Sequence, residues 1–157
     1  MTSIADLEQR LRAVEDRLAI FELIASYGPA VDSGDSHGAS KLWSSDGSYD
    51  VGGMGVTSGQ TAIEKLFDGG THQSLIANGA GHMLNSPTIA IDGDHATAIN
   101  YSAMFVKADN GFVAARVAAN HWRLERIDGR WRVVKRINRL LDGAQEARDL
   151  LGGRVPR

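Results

Sequence analysis

The sequence predicts an α+β fold in which N-terminal helices close a cone-like, strongly curved antiparallel sheet. Three observations indicate this fold. The first third places apolar residues at three-and-four spacing, the second half holds four extended segments between turn signals, and a short strand or hairpin lies between the two halves. The extended segments would form a four-strand meander. We expect one domain over residues 1–157, with an enclosed interior suited to a ligand.

The composition narrows the classes of function. The chain has 157 residues, of which 43% are hydrophobic and 23% charged, enough for one domain with a core. A formal charge of −2 without a basic run argues against a nucleic-acid partner. The absence of cysteine excludes disulfides and thiolate metal sites. No apolar run approaches the roughly 20 residues that span a bilayer, and "MTSIADLEQRL" is typical of an amphipathic helix rather than a signal peptide. We expect a cytoplasmic protein without a membrane partner.

The first third is predicted to be helical. Ser3 followed by Asp6 resembles an N-terminal cap. The continuation over residues 19–33 has a wider apolar arc, in which Asp32 lies and at whose edge Tyr27 lies. The first part carries an apolar stripe that we expect to pack against the domain, formed by Ile4, Leu7, Leu11, Val14, Leu18 and Phe21.

The middle of the chain is predicted to be mixed. "SHGASKLW" indicates a short helix, "SYDV" a strand and "GGMG" a flexible turn. Thr57 or Ser58 would then cap a second short helix that "DGG" ends.

The second half gives the clearest pattern. The turn sequences "DGD", "DNG" and "DG" separate extended segments and are typical of tight hairpins. The tail "AQEARDLLGGRVPR" is predicted to be a short helix followed by a loose end. The four predicted strands are His82–Asp92, His95–Lys107, Phe112–Ile127 and Arg130–Leu141.

Asp32 is the residue that the local pattern explains least. An ionised carboxylate on an apolar arc is costly unless it finds a partner. It could cap the helix end in the exposed turn "VDSGD", or it could pair with a histidine from the sheet.

Of the five histidines, one is a candidate for that pairing. His37, His72 and His95 lie in polar or turn sequences and are expected to be solvated. His121 alternates with charged residues in "HWRLER" and is expected to face water. His82 opens the first long strand among small and apolar residues, in "GAGHMLNSP".

An Asp32–His82 pair would be chemically useful. A carboxylate that holds one imidazole nitrogen fixes the tautomer and raises the basicity of the other, as a general base near neutral pH requires. Tyr27 could supply a neutral donor to negative charge developing on an oxygen, or could simply be a core aromatic residue.

Four stretches together resemble the SnoaL-like branch of the nuclear transport factor 2-like superfamily. They are "YGPAVDSGD", "LWSSDGSYDV", "GHMLNSPTIAIDGDHATA" and "DGRWRVVKR". The branch includes scytalone dehydratase, a bile-acid dehydratase and a hexachlorocyclohexane dehydrochlorinase. The resemblance covers almost the whole chain and implies the cone-like fold.

The resemblance also implies site residues. It places Asp32 and His82 at the catalytic pair of the dehydratases and the dehydrochlorinase, and Tyr27 at a catalytic tyrosine. Trp43 and Tyr49 stand where relatives have aromatic pocket walls.

The implied electrophilic half of the site departs from the pattern. A second catalytic aspartate of the bile-acid enzyme has no counterpart, because the strand reads "AINYSAMFVK" and offers Asn100 and Tyr101; Tyr101 is taken as substrate-binding. Arg136, five positions after Trp131, corresponds to a pocket arginine.

Simple alternation puts Trp131, Val133 and Ile137 on the core face and Arg136 on the other. Arg136 therefore reaches the pocket only if the strand contains a bulge, or if the pocket lies on the opposite face.

The leading hypothesis is a cofactor-independent lyase of the dehydratase type, or an isomerase, that acts on a hydrophobic cyclic small molecule. The alternative is a non-catalytic module that binds a small hydrophobic molecule. A metal site is a third hypothesis, but the sequence has no HxH or HExxH spacing, so we expect no metal and no cofactor. The resemblance favours a homo-oligomer, a trimer before a dimer.

Overall fold

The computed structural model describes residues 2–154. The chain begins with a long helix, passes through a hairpin and short helices, and ends in long strands followed by a last helix. The elements are α1 (Ile4–Asp32), α2 (Ser36–Ser40), β1 (Trp43–Val51), β2 (Gly55–Ser58), α3 (Gln60–Asp68), α4 (Gly70–Ala77), β3 (Ala80–Leu84), β4 (Thr88–Asp92), β5 (His95–Ala108), β6 (Gly111–Ile127), β7 (Arg130–Leu140) and α5 (Gln145–Leu151).

The strands form a curved, unclosed and mainly antiparallel sheet, and the predicted fold class is confirmed. Its order is β2-β1-β7-β6-β5-β3, with β4 also paired to β5. β5, β6 and β7 follow one another as antiparallel neighbours, whereas β1 runs parallel to β7. The turn between β6 and β7 is the predicted "DG". Asp128 and Gly129 both have positive φ, 49° and 75°, the backbone that a tight hairpin turn requires.

The first helix is one continuous element of 29 residues, α1. Its start is the predicted cap, because the Ser3 hydroxyl accepts from the Asp6 backbone N–H while the Asp6 carboxylate accepts from the Ser3 N–H. The apolar stripe does not pack against the domain as predicted. Its members are exposed: Ile4 (77%), Leu7 (52%), Leu11 (59%), Val14 (64%), Leu18 (55%) and Phe21 (39%).

Two predicted element bounds need correction, and one helix was not predicted. The segment expected as one strand from His82 to Asp92 is two strands, β3 and β4, because the chain leaves β5 at Asn85 and Pro87 cannot donate to a ladder. The helix that "DGG" was predicted to end is α3, and α4, which was not predicted, follows it directly. The strand predicted from "SYDV" begins earlier, at Trp43.

The core lies on both faces of the sheet. The inner face packs against α1 and α3, whereas α5 covers part of the outer face through a second cluster of Ala119, Ile137, Ala147 and Leu150. Ile137 is therefore buried on the outer face rather than with Trp131. His121 pairs in register with Ile137 and is only 4% exposed, so the prediction that it faces water was wrong.

Among residues 2–154, no helix has the length and apolar character needed to cross a membrane.

Candidate active site

Asp32 and His82 are in contact, as the sequence predicted. The imidazole Nδ1 of His82 lies 2.6 Å from Asp32 Oδ1, and the backbone N–H of His82 donates to Asp32 Oδ2, also at 2.6 Å. Because the ionised carboxylate only accepts, Nδ1 carries the proton and Nε2 keeps its lone pair. Asp32 thus fixes the position and the tautomer of the imidazole with its two oxygens.

The close approach of α1 to β3 depends on Gly28. A Cβ built on Gly28 would collide with the backbone oxygen of His82 and would lie 3.9 Å from the His82 Cβ. Only glycine lets the last turns of α1 lie so near the strand that Asp32 reaches His82. This glycine of "YGPAVD" is a site residue that no sequence pattern distinguishes from an ordinary helical glycine.

Tyr27 is the centre of an aromatic cluster inside the sheet. Its ring makes edge contacts with Trp43 (6.1 Å between centroids), Tyr49 (6.5 Å) and Trp122 (6.3 Å), and lies 6.3 Å from the His82 ring. Burial is the largest of the influences that raise the pKa of the Tyr27 phenol, so the hydroxyl stays protonated as a donor. The predicted wall residues Trp43 and Tyr49 therefore lie together, beside Tyr27.

Arg136 reaches the same cluster because β7 contains the required bulge. The register with β6 slips at Val134, after which Arg136 pairs with Trp122 and shares its inward face. The guanidinium carbon lies 4.2 Å from the centroid of Tyr27, 4.6 Å from that of Tyr49 and 4.1 Å from that of Trp122.

No carboxylate of residues 2–154 forms an ion pair with the buried guanidinium of Arg136. The residue is 1% exposed, and its Nε and Nη2 donate to Asn120 Oδ1 at 3.1 and 2.8 Å. Within residues 2–154 its Nη1 has no hydrogen-bond partner. A buried cation balanced only by aromatic faces and an amide oxygen is suited to an anionic or partly negative ligand atom.

A polar ladder continues from Asn120 along the inner face. Its side-chain amide donates to the Ser102 hydroxyl at 2.9 Å, and Asn138 donates to its carbonyl oxygen at 3.0 Å. Arg116 in turn donates to Asn138 Oδ1 at 2.8 Å. One part of the inner face is therefore aromatic and the adjoining part polar, a lining suited to a ring that bears oxygen substituents.

The strand β5 does not supply the residues that the sequence suggested. Tyr101, predicted to bind substrate, is 49% exposed on the outer face, because alternation in β5 turns it away from the other predicted site residues. Asn100 does point inward, but its carbonyl accepts from the Trp122 indole N–H and its amide donates to the Asn85 carbonyl.

His72, expected to be solvated, is a second imidazole at the site. Its ring lies 5.9 Å from that of His82, and its Nδ1 donates to the Phe67 carbonyl oxygen at 2.9 Å. Nε2 is buried without a partner among the described residues. Burial lowers the pKa of His72, so the ring stays neutral and Nε2 is an unused acceptor. His72 lies on α4, a helix that no pattern in the sequence predicted.

The Asp32–His82 pair lies at the rim of the sheet rather than deep in an enclosed cavity. The two side chains are 23% and 18% exposed, whereas the centre is filled by the aromatic rings. Cavities of about 210 and 320 Å³ lie elsewhere, the larger one on the outer side of β3, beside Gly81 and Met83. A ligand at the pair would approach from the rim, over His82.

The fold and the site define a class: α+β proteins whose curved sheet surrounds an aromatic interior with an Asp–His pair at its rim. The chain belongs to the SnoaL-like domain family, which matches residues 12–137. No curated protein matches this sequence, so the comparison depends on the family and on solved structures.

The solved structures share this fold. A nuclear transport factor 2-like protein with a cystatin-like fold from Novosphingobium aromaticivorans is 46% identical, with a TM-score of 0.94 over 96% of this chain and 98% of that one. A protein of unknown function from Mycobacterium tuberculosis is 25% identical, with a TM-score of 0.71 over 78% and 74% of the two chains. One from Nostoc punctiforme, at 22% identity, has a TM-score of 0.68 over 81% and 92%.

Proposed function

We propose that the protein is a cofactor-independent lyase of the dehydratase type, or an isomerase, in which His82 is the general base. The observation that carries the proposal is that His82 donates two hydrogen bonds to the Asp32 carboxylate, one from Nδ1 and one from the backbone N–H. It leaves Nε2 as the free basic atom. A fixed base at the rim can abstract a carbon-bound proton from a ring that lies over it.

Arg136 and Tyr27 would be the electrophilic half. Removal of a proton beside a carbonyl or leaving group moves negative charge onto an oxygen, and a preorganised donor stabilises it. Arg136 offers an N–H that has no partner in the part of the chain that the structure describes, and Tyr27 offers a hydroxyl that burial keeps protonated. In a dehydration, His82 Nε2 takes the proton from carbon while the bond between the neighbouring carbon and its hydroxyl breaks. The departing hydroxyl takes a proton from this half of the site and leaves as water.

The unpartnered atoms favour a particular substrate class. Arg136 Nη1 is a donor without an acceptor, and His72 Nε2 an acceptor without a donor, among the described residues. A cyclic, mostly apolar molecule with one carbonyl or oxyanion and one hydroxyl would satisfy both atoms and would cover the aromatic wall.

The test uses nitrobenzisoxazole, a flat aromatic carbon acid. A base removes its ring proton, the N–O bond breaks, and a coloured phenoxide with a nitrile is released, so no cofactor is needed. We expect turnover that falls by about 10²- to 10⁴-fold in His82→Ala, the usual contribution of one positioned base. Equal turnover by the wild type and His82→Ala would overturn the proposal.

The second candidate is a non-catalytic module that binds a small hydrophobic molecule. What favours it is that both oxygens of Asp32 are used in joining α1 to β3, so the pair also acts as a structural clamp. If the protein is such a module, His82→Ala should lower both the stability and the ligand affinity. The rate of nitrobenzisoxazole conversion should then show no dependence on His82.

A further inference from the structure

The N-terminal half of α1 extends beyond the domain. Every described residue up to Glu15 is exposed, and the helix first becomes buried at Ile20. The side that faces the domain carries Asp16, whose carboxylate binds Arg126, and then Ile20 and Ile24. The apolar stripe lies on a different side of the same helix. Most helical stability in proteins comes from tertiary packing of an apolar face, and among the described residues nothing packs against this stripe.

The stripe has the spacing of a coiled-coil seam. Its members alternate at three and four residues, and so occupy the first and fourth positions of successive heptads. These positions are filled by Ile4, Leu7, Leu11, Val14, Leu18 and Phe21.

The residues beside the seam carry opposite charges on its two sides. The positions that follow the fourth heptad residue are all glutamate: Glu8, Glu15 and Glu22. Of the positions that precede the first heptad residue, Ser3 is uncharged and the other two are Arg10 and Arg17. In the described residues none of the five forms an ion pair within the chain. Arg17 donates one N–H to the Ile89 carbonyl oxygen, which leaves its other donors free.

We propose that this seam binds the same seam of a second copy of the chain, with the two helices parallel. In a parallel pair, each arginine faces the glutamate five positions further along the partner, so that Arg10 meets Glu15 and Arg17 meets Glu22. In an antiparallel pair, arginines would face arginines and glutamates would face glutamates. The three glutamates beside the seam also disfavour an anionic membrane surface as the occupant.

Cysteine cross-linking tests the proposal, because the chain has no cysteine of its own. In a parallel, in-register pair, Leu7→Cys places two thiols face to face across the seam, within disulfide distance. Gln9→Cys, on the outer side of the same turn, is the matched control. In a glutathione buffer, we expect Leu7→Cys to form a disulfide-linked dimer roughly tenfold faster than Gln9→Cys does.

A charge exchange tests the direction of the helices. On the Leu7→Cys background, Arg10→Glu should slow cross-linking roughly tenfold, since two attractive pairs become repulsive. Adding Glu15→Arg should restore the rate. Equal rates for Leu7→Cys and Gln9→Cys would overturn the self-association, and faster cross-linking in Arg10→Glu would overturn the parallel direction. Circular dichroism verifies that each variant folds.

Discussion

Substitution of Gly28 by alanine should separate α1 from β3 and break the Asp32–His82 pair. The added methyl group would collide with the His82 backbone oxygen, an atom that cannot turn away as a side chain could. Ordinary carbon–oxygen contact needs about 3.5 Å, so the helix and the strand must move apart by on the order of 1 Å. Both 2.6 Å hydrogen bonds between Asp32 and His82 would then exceed hydrogen-bonding distance.

The expected loss of folding stability follows from those two hydrogen bonds. Hydrogen bonds to a charged group contribute about 1.5–3 kcal/mol each, and about a fifth of each side chain is still exposed, which weakens the bonds. We expect Gly28→Ala to lower the free energy of unfolding by about 2–4 kcal/mol, measured by urea denaturation. Turnover of nitrobenzisoxazole should fall roughly as far as in His82→Ala.

Gly81→Ala is the matched control. Gly81 precedes His82 in the same strand, and a Cβ built on it meets nothing within 4 Å. It should change the unfolding free energy by less than about 1 kcal/mol. If Gly28→Ala unfolds at the same urea concentration as Gly81→Ala and keeps its turnover, the close approach of α1 to β3 does not position the pair.

Three further outcomes are expected. Asp32→Asn should keep the fold but lower the turnover number by about 10²- to 10⁴-fold. The reason is that the asparagine amide donates to Nδ1 of His82, so that the imidazole proton moves to Nε2. Nitrogen NMR of the imidazole would show this change of tautomer. Arg136→Met should lower turnover about 10²-fold without lowering the urea midpoint, since a buried charge without a carboxylate adds little stability; a lower midpoint with unchanged turnover would contradict this. Burial lowers the pKa of His121, so the unfolded chain binds more protons and stability falls as pH drops below about 6.5; His121→Leu should lessen that fall in urea titrations at successive pH values.

The fold was predictable because its signals are local. Turn pairs such as Asp128–Gly129 demand a backbone that few residue types adopt, and the long segments between them have no competing helical period. The split of the first segment at Asn85 was less visible. β3 pairs with the second part of β5 and β4 with its first part, so the chain breaks between them. Such a break depends on which strands pair in the fold and leaves no local signal.

The Asp32–His82 pair was predictable because a carboxylate on an apolar arc requires a partner, and His82 was the one histidine with apolar neighbours. His121 shows the limit of the same reasoning. Arg123 and Glu125 share its face and are exposed or half-buried, but α5 covers the part of that outer face where His121 pairs with Ile137. Alternation tells which residues share a face, and only tertiary packing decides whether that face is covered.

The bulge at Val134 was beyond prediction for a related reason. The sequence made the position of Arg136 conditional on an irregularity, and nothing in "WRVVKRINR" distinguishes a bulged strand from a regular one. The effect of the bulge is to turn the Arg136 guanidinium into the aromatic cluster. Without it, Arg136 would lie on the outer face and Tyr27, Tyr49 and Trp122 would surround no cation.

One continuous helix thus carries both the contact with His82 and the exposed seam. The last residue of α1 holds His82, whereas the exposed seam begins at its first residue, about 40 Å away at the rise of an α-helix. Substitutions near the start of the helix, such as Leu7→Cys, should therefore change association between copies and leave the chemistry at His82 intact. Gly28→Ala should do the reverse. Coupled losses at both ends would mean that association itself holds α1 in place against β3.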